Sequence, residues 1–365
     1  MRKVLTLLCL VIVVVVASVV SAQDDETFQI TIMHTNDTHA AHNPNSAGNG
    51  GVAILAAVIN QIRAQAENSL LLDAGDRFTG TLFHTVHKGA DQSQIMSLLG
   101  YEAMALGNHE FDNGDDVLAA FIDGVTFPVL AANVDVTNSV ELNGKVAGTT
   151  VLEVNGQQFG IIGLVTADTL NIASPGENVL FDADYAAVAN AAAAELTAEG
   201  VNKIILLTHT GFSIDEAFIP LLVDIDVVLG GHSHTLFSNQ NTGAAGRYPV
   251  VFENAAGESI YYGQSLANTQ YLGRMDVTFD VDGVVTAATG DSIFLSRYIT
   301  PDETAAALIA ELDIAVSALG DELSGATTDI LLTGDRTVCR IEECNLGNLI
   351  ADSMRFNTGA QIAIM

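Results

Sequence analysis

The chain has 365 residues, of which 44 are acidic and 13 basic, a formal charge of −31. Such a surface repels nucleic-acid backbones and anionic membranes, so both are excluded as partners. The acid excess suits a saline or cation-rich medium and marks a solvated surface, without locating a site. The length exceeds one typical core, so two domains are expected.

Arg2 and Lys3 precede an uncharged, mostly apolar run of 17 residues, Val4 to Val20. Small residues Ser21-Ala22 and the polar Gln23-Asp24-Asp25-Glu26 follow. A basic start, an apolar middle and a small-residue boundary read as a secretory signal peptide over residues 1–22, cut after Ala22. The competing reading is an uncleaved anchor; the flanks favour cleavage. The expected location is secreted, extracellular or periplasmic, with no stable membrane partner after cleavage. Cleavage leaves 11 basic against 44 acidic residues, a charge of −33.

Beyond that segment, helix and strand patterns alternate. Strand Ile30–His34 leads to helix Val52–Gln65, strand Leu70–Asp73, helix Asp91–Leu99 and strand Ala103–Leu106. Helix Asp115–Phe121 and strand Val129–Ala132 follow. Asn155-Gly156 lies between Val151–Val154 and Phe159–Val165, a strong hairpin signal. Helix Asp184–Glu199, strand Lys203–Thr208, helix Asp215–Leu222 and strand Asp226–Leu229 continue the series. Tyr248 to Leu295 reads as mostly strand, with a turn at Asp282-Gly283. The fold class is therefore α/β, a mixed sheet layered by helices. Asp302 to Leu319 reads as one long helix, Gly334 to Cys344 as a loop and Leu346 to Phe356 as a helix. The final Ala360–Met365 reads as an apolar strand with no turn or polar tail, so the sequence is expected to be incomplete in its second domain.

Five apolar runs end on metal-ligand side chains. Ile30–Met33 leads to Asp37 and His39, and Leu70–Leu72 to Asp73-Ala74-Gly75-Asp76. Ala103–Leu106 leads to Gly107-Asn108-His109-Glu110-Phe111-Asp112, Ile204–Leu207 to His209, and Val227–Leu229 to Gly230-Gly231-His232-Ser233-His234. Asp37 and His39, two apart on an extended strand end, are expected to point to one side, and His232 and His234 repeat the spacing. Four imidazoles, two carboxylates and one amide are too many for one tetrahedral zinc, but enough for two metals bridged by one carboxylate. Asp76 is the natural bridge. Imidazole-rich coordination favours zinc, manganese, iron or cobalt over magnesium. The residual positive charge suits an anion, and two metals about 3.5–4 Å apart clamp the oxygens of a displacement at phosphorus. His109 is expected to stabilise the transition state or protonate the leaving group, with Asp112 holding its ring. His34, His42, His84 and His87 share no ligand spacing with these strand ends and read as structural.

These blocks resemble the calcineurin-like metallophosphoesterases. His34-Thr35-Asn36-Asp37-Thr38-His39 and Asn108-His109-Glu110-Phe111-Asp112 are similar to the secreted 5′-nucleotidase family within them. The segments Gly334-Asp335-Arg336, Cys339-Arg340 and Glu343 to Asp352 resemble the opening of that family's C-terminal substrate domain. The resemblance implies a four-layer α/β/β/α sandwich over residues 23–300, a linker helix over 301–325 and the beginning of an α+β substrate domain over 326–365. It implies one metal on Asp37, His39, Asp76 and His234 and another on Asp76, Asn108, His209 and His232. It makes His109 and Asp112 a catalytic dyad, Arg336 and Arg340 substrate-phosphate ligands, and Cys339 and Cys344 a disulfide pair. The implied activity is hydrolysis of a small-molecule nucleotide to nucleoside and phosphate, a metal-bound hydroxide attacking phosphorus. The alternatives are a 2′,3′-cyclic-nucleotide phosphodiesterase with 3′-nucleotidase activity, or a non-catalytic metal-binding surface protein.

Overall fold

A computed structural model describes residues 27–320, 325, 327–339 and 341–364. Residues 1–22, expected to be a signal peptide, and Arg340 lie outside the described residues. Among the described residues, no helix is long and apolar enough to cross a membrane.

The chain runs β1 (Phe28–Thr35), α1 (Val52–Arg63), β2 (Ser69–Asp73), α2 (Leu82–His87), α3 (Ala90–Leu99), β3 (Ala103–Ala105), α4 (Asp115–Gly124) and β4 (Val129–Leu130). Next come β5 (Val134–Asp135), β6 (Thr149–Val154), β7 (Gln157–Val165), α5 (Thr169–Ile172), β8 (Leu180–Phe181), α6 (Tyr185–Ala198), β9 (Ile204–His209), α7 (Phe212–Phe218) and β10 (Val227–Gly230). Strands β11 (Val250–Glu253), β12 (Ser259–Gly263), β13 (Tyr271–Phe279) and β14 (Val285–Phe294) precede α8 (Glu303–Gly320), α9 (Arg336–Cys339) and α10 (Asn345–Thr358).

Two six-stranded sheets result, ordered β14-β13-β1-β2-β3-β4 and β11-β12-β10-β9-β7-β6, while β5 and β8 form a separate pair. The run Leu70-Leu71-Leu72 is continuously apolar because β2 is covered on both faces. Successive side chains of a strand point to opposite sides. Leu71, with Met33 and Met104, packs against Leu55 and Ile59 of α1, Ile95 of α3 and Phe121 of α4. Leu70 and Leu72, with Ile30 and Ile32, instead join Ile161, Leu206 and Val228 of the second sheet. Leu196 and Ala193 of α6 belong to the same second cluster. The order is helices, sheet, sheet, helices. This is the mixed α/β class read from the sequence, in the four-layer arrangement that the family resemblance implies.

The Asn155-Gly156 hairpin forms as expected. Val154 pairs with Gln157 across the two-residue loop, and both loop residues have positive φ, +46° and +80°. Such turns match the twist of the flanking strands. Ala305, Ile309, Leu312 and Val316 of α8 lie in the first apolar cluster. The chain divides into two compact units, one up to Val316 and one from Ser317. In the second, Cys339 and Cys344 are disulfide-bonded, and the Asn345 side chain fastens the chain at Leu331 and Thr333.

Several local expectations are corrected. Helix α2 was not anticipated; it is only six residues long, started by the Thr81 hydroxyl accepting from Phe83 N. Helix α7 begins at Phe212, after Gly211 at φ +91°, and not at Asp215; its last turn tightens to a 3-10 turn at Pro220. The loop Gly334–Cys344 contains the single turn α9. Residues 360–364 are not a strand, since none of the described residues pairs with them.

Candidate metal centre

The parallel strands β1, β2, β3, β9 and β10 end at one edge of the sandwich; His209 is the last residue of β9, and the loops that leave the other four strands carry the remaining six expected ligands. Three groups of donor atoms, each within 4.8 Å of one another, form there: Asp37, His39 and His234; His39, Asp76 and His109; and Asp76, His209 and His232. Asp76 and His39 each belong to two groups. Two clustered His/Asp sites thus share one edge of the fold.

Backbone conformation sets this arrangement. Asp37, His39, Asp76, His232 and His234 all have positive φ, between +50° and +70°. The extended placement expected for the Asp37/His39 and His232/His234 pairs is therefore incorrect; each is a left-handed turn residue. Non-glycine residues pay a conformational cost in this region, so the surrounding structure must hold them there. Asn36 supplies part of that hold. Its amide donates to Asp37 Oδ2 (2.6 Å) and to the Leu266 carbonyl, and its oxygen accepts from Ser265 N. Asp37 also accepts the His232 N–H at 3.0 Å. Glycines allow the loops to interlock. A Cβ on Gly75 would stand 2.6 Å from Gly107 N and 2.8 Å from His209 Nδ1.

The donor set fits divalent metals. His209 donates from Nδ1 to the Ala74 carbonyl at 2.6 Å, so the neutral ring presents its lone pair at Nε2. That atom lies 3.0 Å from Asp76 Oδ2, yet makes no aligned hydrogen bond. His39 Nε2 and His234 Nε2 face each other at 2.9 Å. Asn108 Oδ1 is buried without a partner. Lone pairs converging on lone pairs, in a buried site, call for a cation between them. In the metal-free chain protons take that place. Burial alone would depress His209, but the charges of Asp76 and Asp37 push it up to about 10. Burial would raise Asp76, but His209 above all holds it well below the usual carboxylate range. Burial lowers His39 and His232, so both offer neutral nitrogens, while the hydrogen bond that His234 donates to Asp37 raises His234.

His109 stands on the rim, 32% exposed. Its Nδ1 is 2.6 Å from Asp112 Oδ2, and its Nε2 is 4.0 Å from Asp76 Oδ2. Thr79 donates to the same Asp112 oxygen at 2.5 Å and fixes it. Burial opposes protonation of His109, but Asp112 and Asp76 outweigh it and raise the ring to about 9. The four histidines set apart lie outside the three groups. His34 meets Tyr248, His42 meets Asp91, His84 meets Asn113 and His87 meets the Leu312 carbonyl. Arg336 opens α9, but its side chain and all of Arg340 lie outside the described residues.

Two carboxylates behind the ligands escaped the sequence reading. Asp215 accepts from Thr208 and Thr210, which flank His209, and from Tyr262. Glu110 is wholly buried and accepts only backbone N–H groups. Burial and the neighbouring Asp76 carboxylate push Glu110 up to about 7 against the pull of those donors. The only available signal was a Glu set directly after two site residues, which no spacing rule singles out.

Residues 30–236 match the family model "Calcineurin-like phosphoesterase", and the chain belongs to that superfamily. Residues 324–365 match "5'-nucleotidase, C-terminal domain", and within the superfamily the chain falls in the 5′-nucleotidase family. It is 36% identical over 346 residues to 5′-nucleotidase of Rattus norvegicus, covering 90% of this chain and 60% of the relative. It is 38% identical over 347 residues to the snake venom 5′-nucleotidase of Naja atra, covering 91% and 65%. The crystal structure of a 5′-nucleotidase precursor from Thermus thermophilus superposes with a TM-score of 0.82 at 39% identity, covering 91% of this chain and 67% of that one. The chain spans about three-fifths of the length of the curated relatives it matches.

Proposed function

We propose that the chain is the metal-bearing part of a secreted phosphoesterase that releases phosphate from nucleotides, as a 5′-nucleotidase does. The observation that carries the reading is the pair of His/Asp clusters sharing Asp76, with the His109–Asp112 pair on their rim. The relatives' names supply the substrate class.

Asp37, His39, Asp76 and His234 would hold one divalent ion, and Asp76, Asn108, His209 and His232 the other. Such a pair, when bound, supplies Lewis-acid stabilisation of the attacking and leaving oxygens at phosphorus. The chain's own groups do the rest. Asp112 fixes the His109 ring through Nδ1, so Nε2 faces the clusters. Nε2 carries a proton and lies where it can neutralise an equatorial phosphate oxygen or protonate the departing alkoxide. By the family resemblance, Arg336 and Arg340 would be substrate-phosphate ligands. The basic, apolar and small-residue order of residues 2–22 supports secretion.

The test is phosphate release from 5′-AMP by protein supplied with Zn²⁺ or Mn²⁺, alongside 2′,3′-cyclic AMP. Metal-dependent release from 5′-AMP supports the proposal. A preference for the cyclic substrate moves the assignment to the cyclic phosphodiesterase, and no metal-dependent release from either contradicts it.

A further inference from the structure

We infer that Glu110 is a positioning residue that ties the loops bearing Asp76 and Asn108 into one rigid unit and thereby sets the metal affinity of the shared site. The inference rests on the metal reading proposed above. Glu110 Oε2 accepts Asp76 N at 3.0 Å and Gly107 N at 2.7 Å. Its Oε1 accepts Arg77 N at 2.7 Å and Phe78 N at 3.1 Å. Three of these donors are consecutive. Gly75 at φ +92° and Asp76 at φ +60° turn the backbone so that the next N–H groups converge on one point, the geometry of a backbone anion nest. Here the anion is a side chain of the neighbouring loop.

The tie is reciprocal. Asp76 Oδ1 accepts His109 N at 2.9 Å, so each loop's carboxylate takes backbone N–H groups from the other loop. With Oδ1 engaged, Asp76 turns Oδ2 towards His209, His39 and His109. The hydrogen bonds of Glu110 go to backbone N–H groups and to none of the donor atoms. Two buried carboxylates repel one another, and a core filler would not place a second one here. Four oriented donors make the second carboxylate tenable.

The test compares Glu110→Gln with Glu102→Gln in metal-free protein titrated with Zn²⁺. Glutamine keeps the shape but turns one acceptor oxygen into an NH₂ that faces two N–H donors. Glu102 is the control: it stands just before β3, at the end away from the ligand loop, and accepts Leu71 N from the middle of β2 at 2.9 Å. Glu110→Gln should weaken Zn²⁺ binding about 10- to 100-fold, the usual cost of losing a partner behind a ligand. Glu102→Gln should leave it unchanged. Affinity in Glu110→Gln within twofold of the parent overturns the inference. Should that variant fail to fold, hydrogen exchange on the metal-free parent decides. The amides of Asp76, Arg77, Phe78 and Gly107 should be protected, and exchange at the rate of exposed loops overturns the clasp. If the parent binds no metal, the metal reading fails, and the exchange result alone decides whether Glu110 joins the loops.

Discussion

Replacing Asp112 by Asn should lower the pKa of His109 by about one to two units. The 2.6 Å contact between His109 Nδ1 and Asp112 Oδ2 is a charge-assisted hydrogen bond. Hydrogen bonds to charged groups contribute about 1.5–3 kcal/mol, and about 1.4 kcal/mol corresponds to one pKa unit. His109 sits at about 9 with Asp112, Asp76 and Glu110 all opposing the effect of burial. Removing the first partner leaves the others, so the ring should settle at about 7–8. The folded pKa is above the ordinary 6.5, so the contribution is fully present below pH 6.5 and is lost as pH rises through 9. The variant should flatten that fall. The assay is NMR titration of the His109 ring proton in metal-free protein. A midpoint unchanged within about 0.3 units would refute the reasoning and assign the shift to Asp76 and Glu110.

Three further outcomes are expected. Asp76→Asn removes a carboxylate from two donor groups and should cost both ions or nearly all turnover; normal metal content with normal turnover would end the sharing assignment. His109→Ala should keep its metals while hydrolysis of a simple phosphate ester falls about 10²–10⁴-fold, the range for a lost general acid; loss of metal would make His109 a ligand. Gly75→Ala places a Cβ 2.6 Å from Gly107 N at φ +92°, so it should destabilise the fold by more than about 1 kcal/mol in chemical denaturation, and an unchanged midpoint would show that the loops are not interlocked.

Much of this site was legible because ligands follow apolar runs. Leu70–Leu72 and Val227–Leu229 announce buried parallel strands, and such sheets place their sites beyond the strands' carboxyl ends. The composition of Asp37, His39, Asp76, Asn108, His209, His232 and His234 then points to two metals. The conformation of those residues was not legible. Alternation suggested extended chain at Asp37 and His39, whereas tertiary contacts from Asn36 and the His232 amide hold left-handed turns. Glycine announces a positive φ; aspartate and histidine do not. Helix α2 escaped because six residues give no period to read. Helix α7 was read from its acidic residue, although Gly211 starts it and Asp215 points inward to Thr208 and Tyr262. Glu110 escaped because its partners are backbone groups, which leave no trace in residue type.

The arrangement at Asp76 carries the whole account, and metal content tests it most directly. Protein purified without added chelator and dialysed extensively should hold close to two transition-metal ions per chain by elemental analysis. Near-zero metal in protein shown to be folded would contradict the dinuclear site and leave the two clusters as a hydrogen-bonded network of aspartates and histidines.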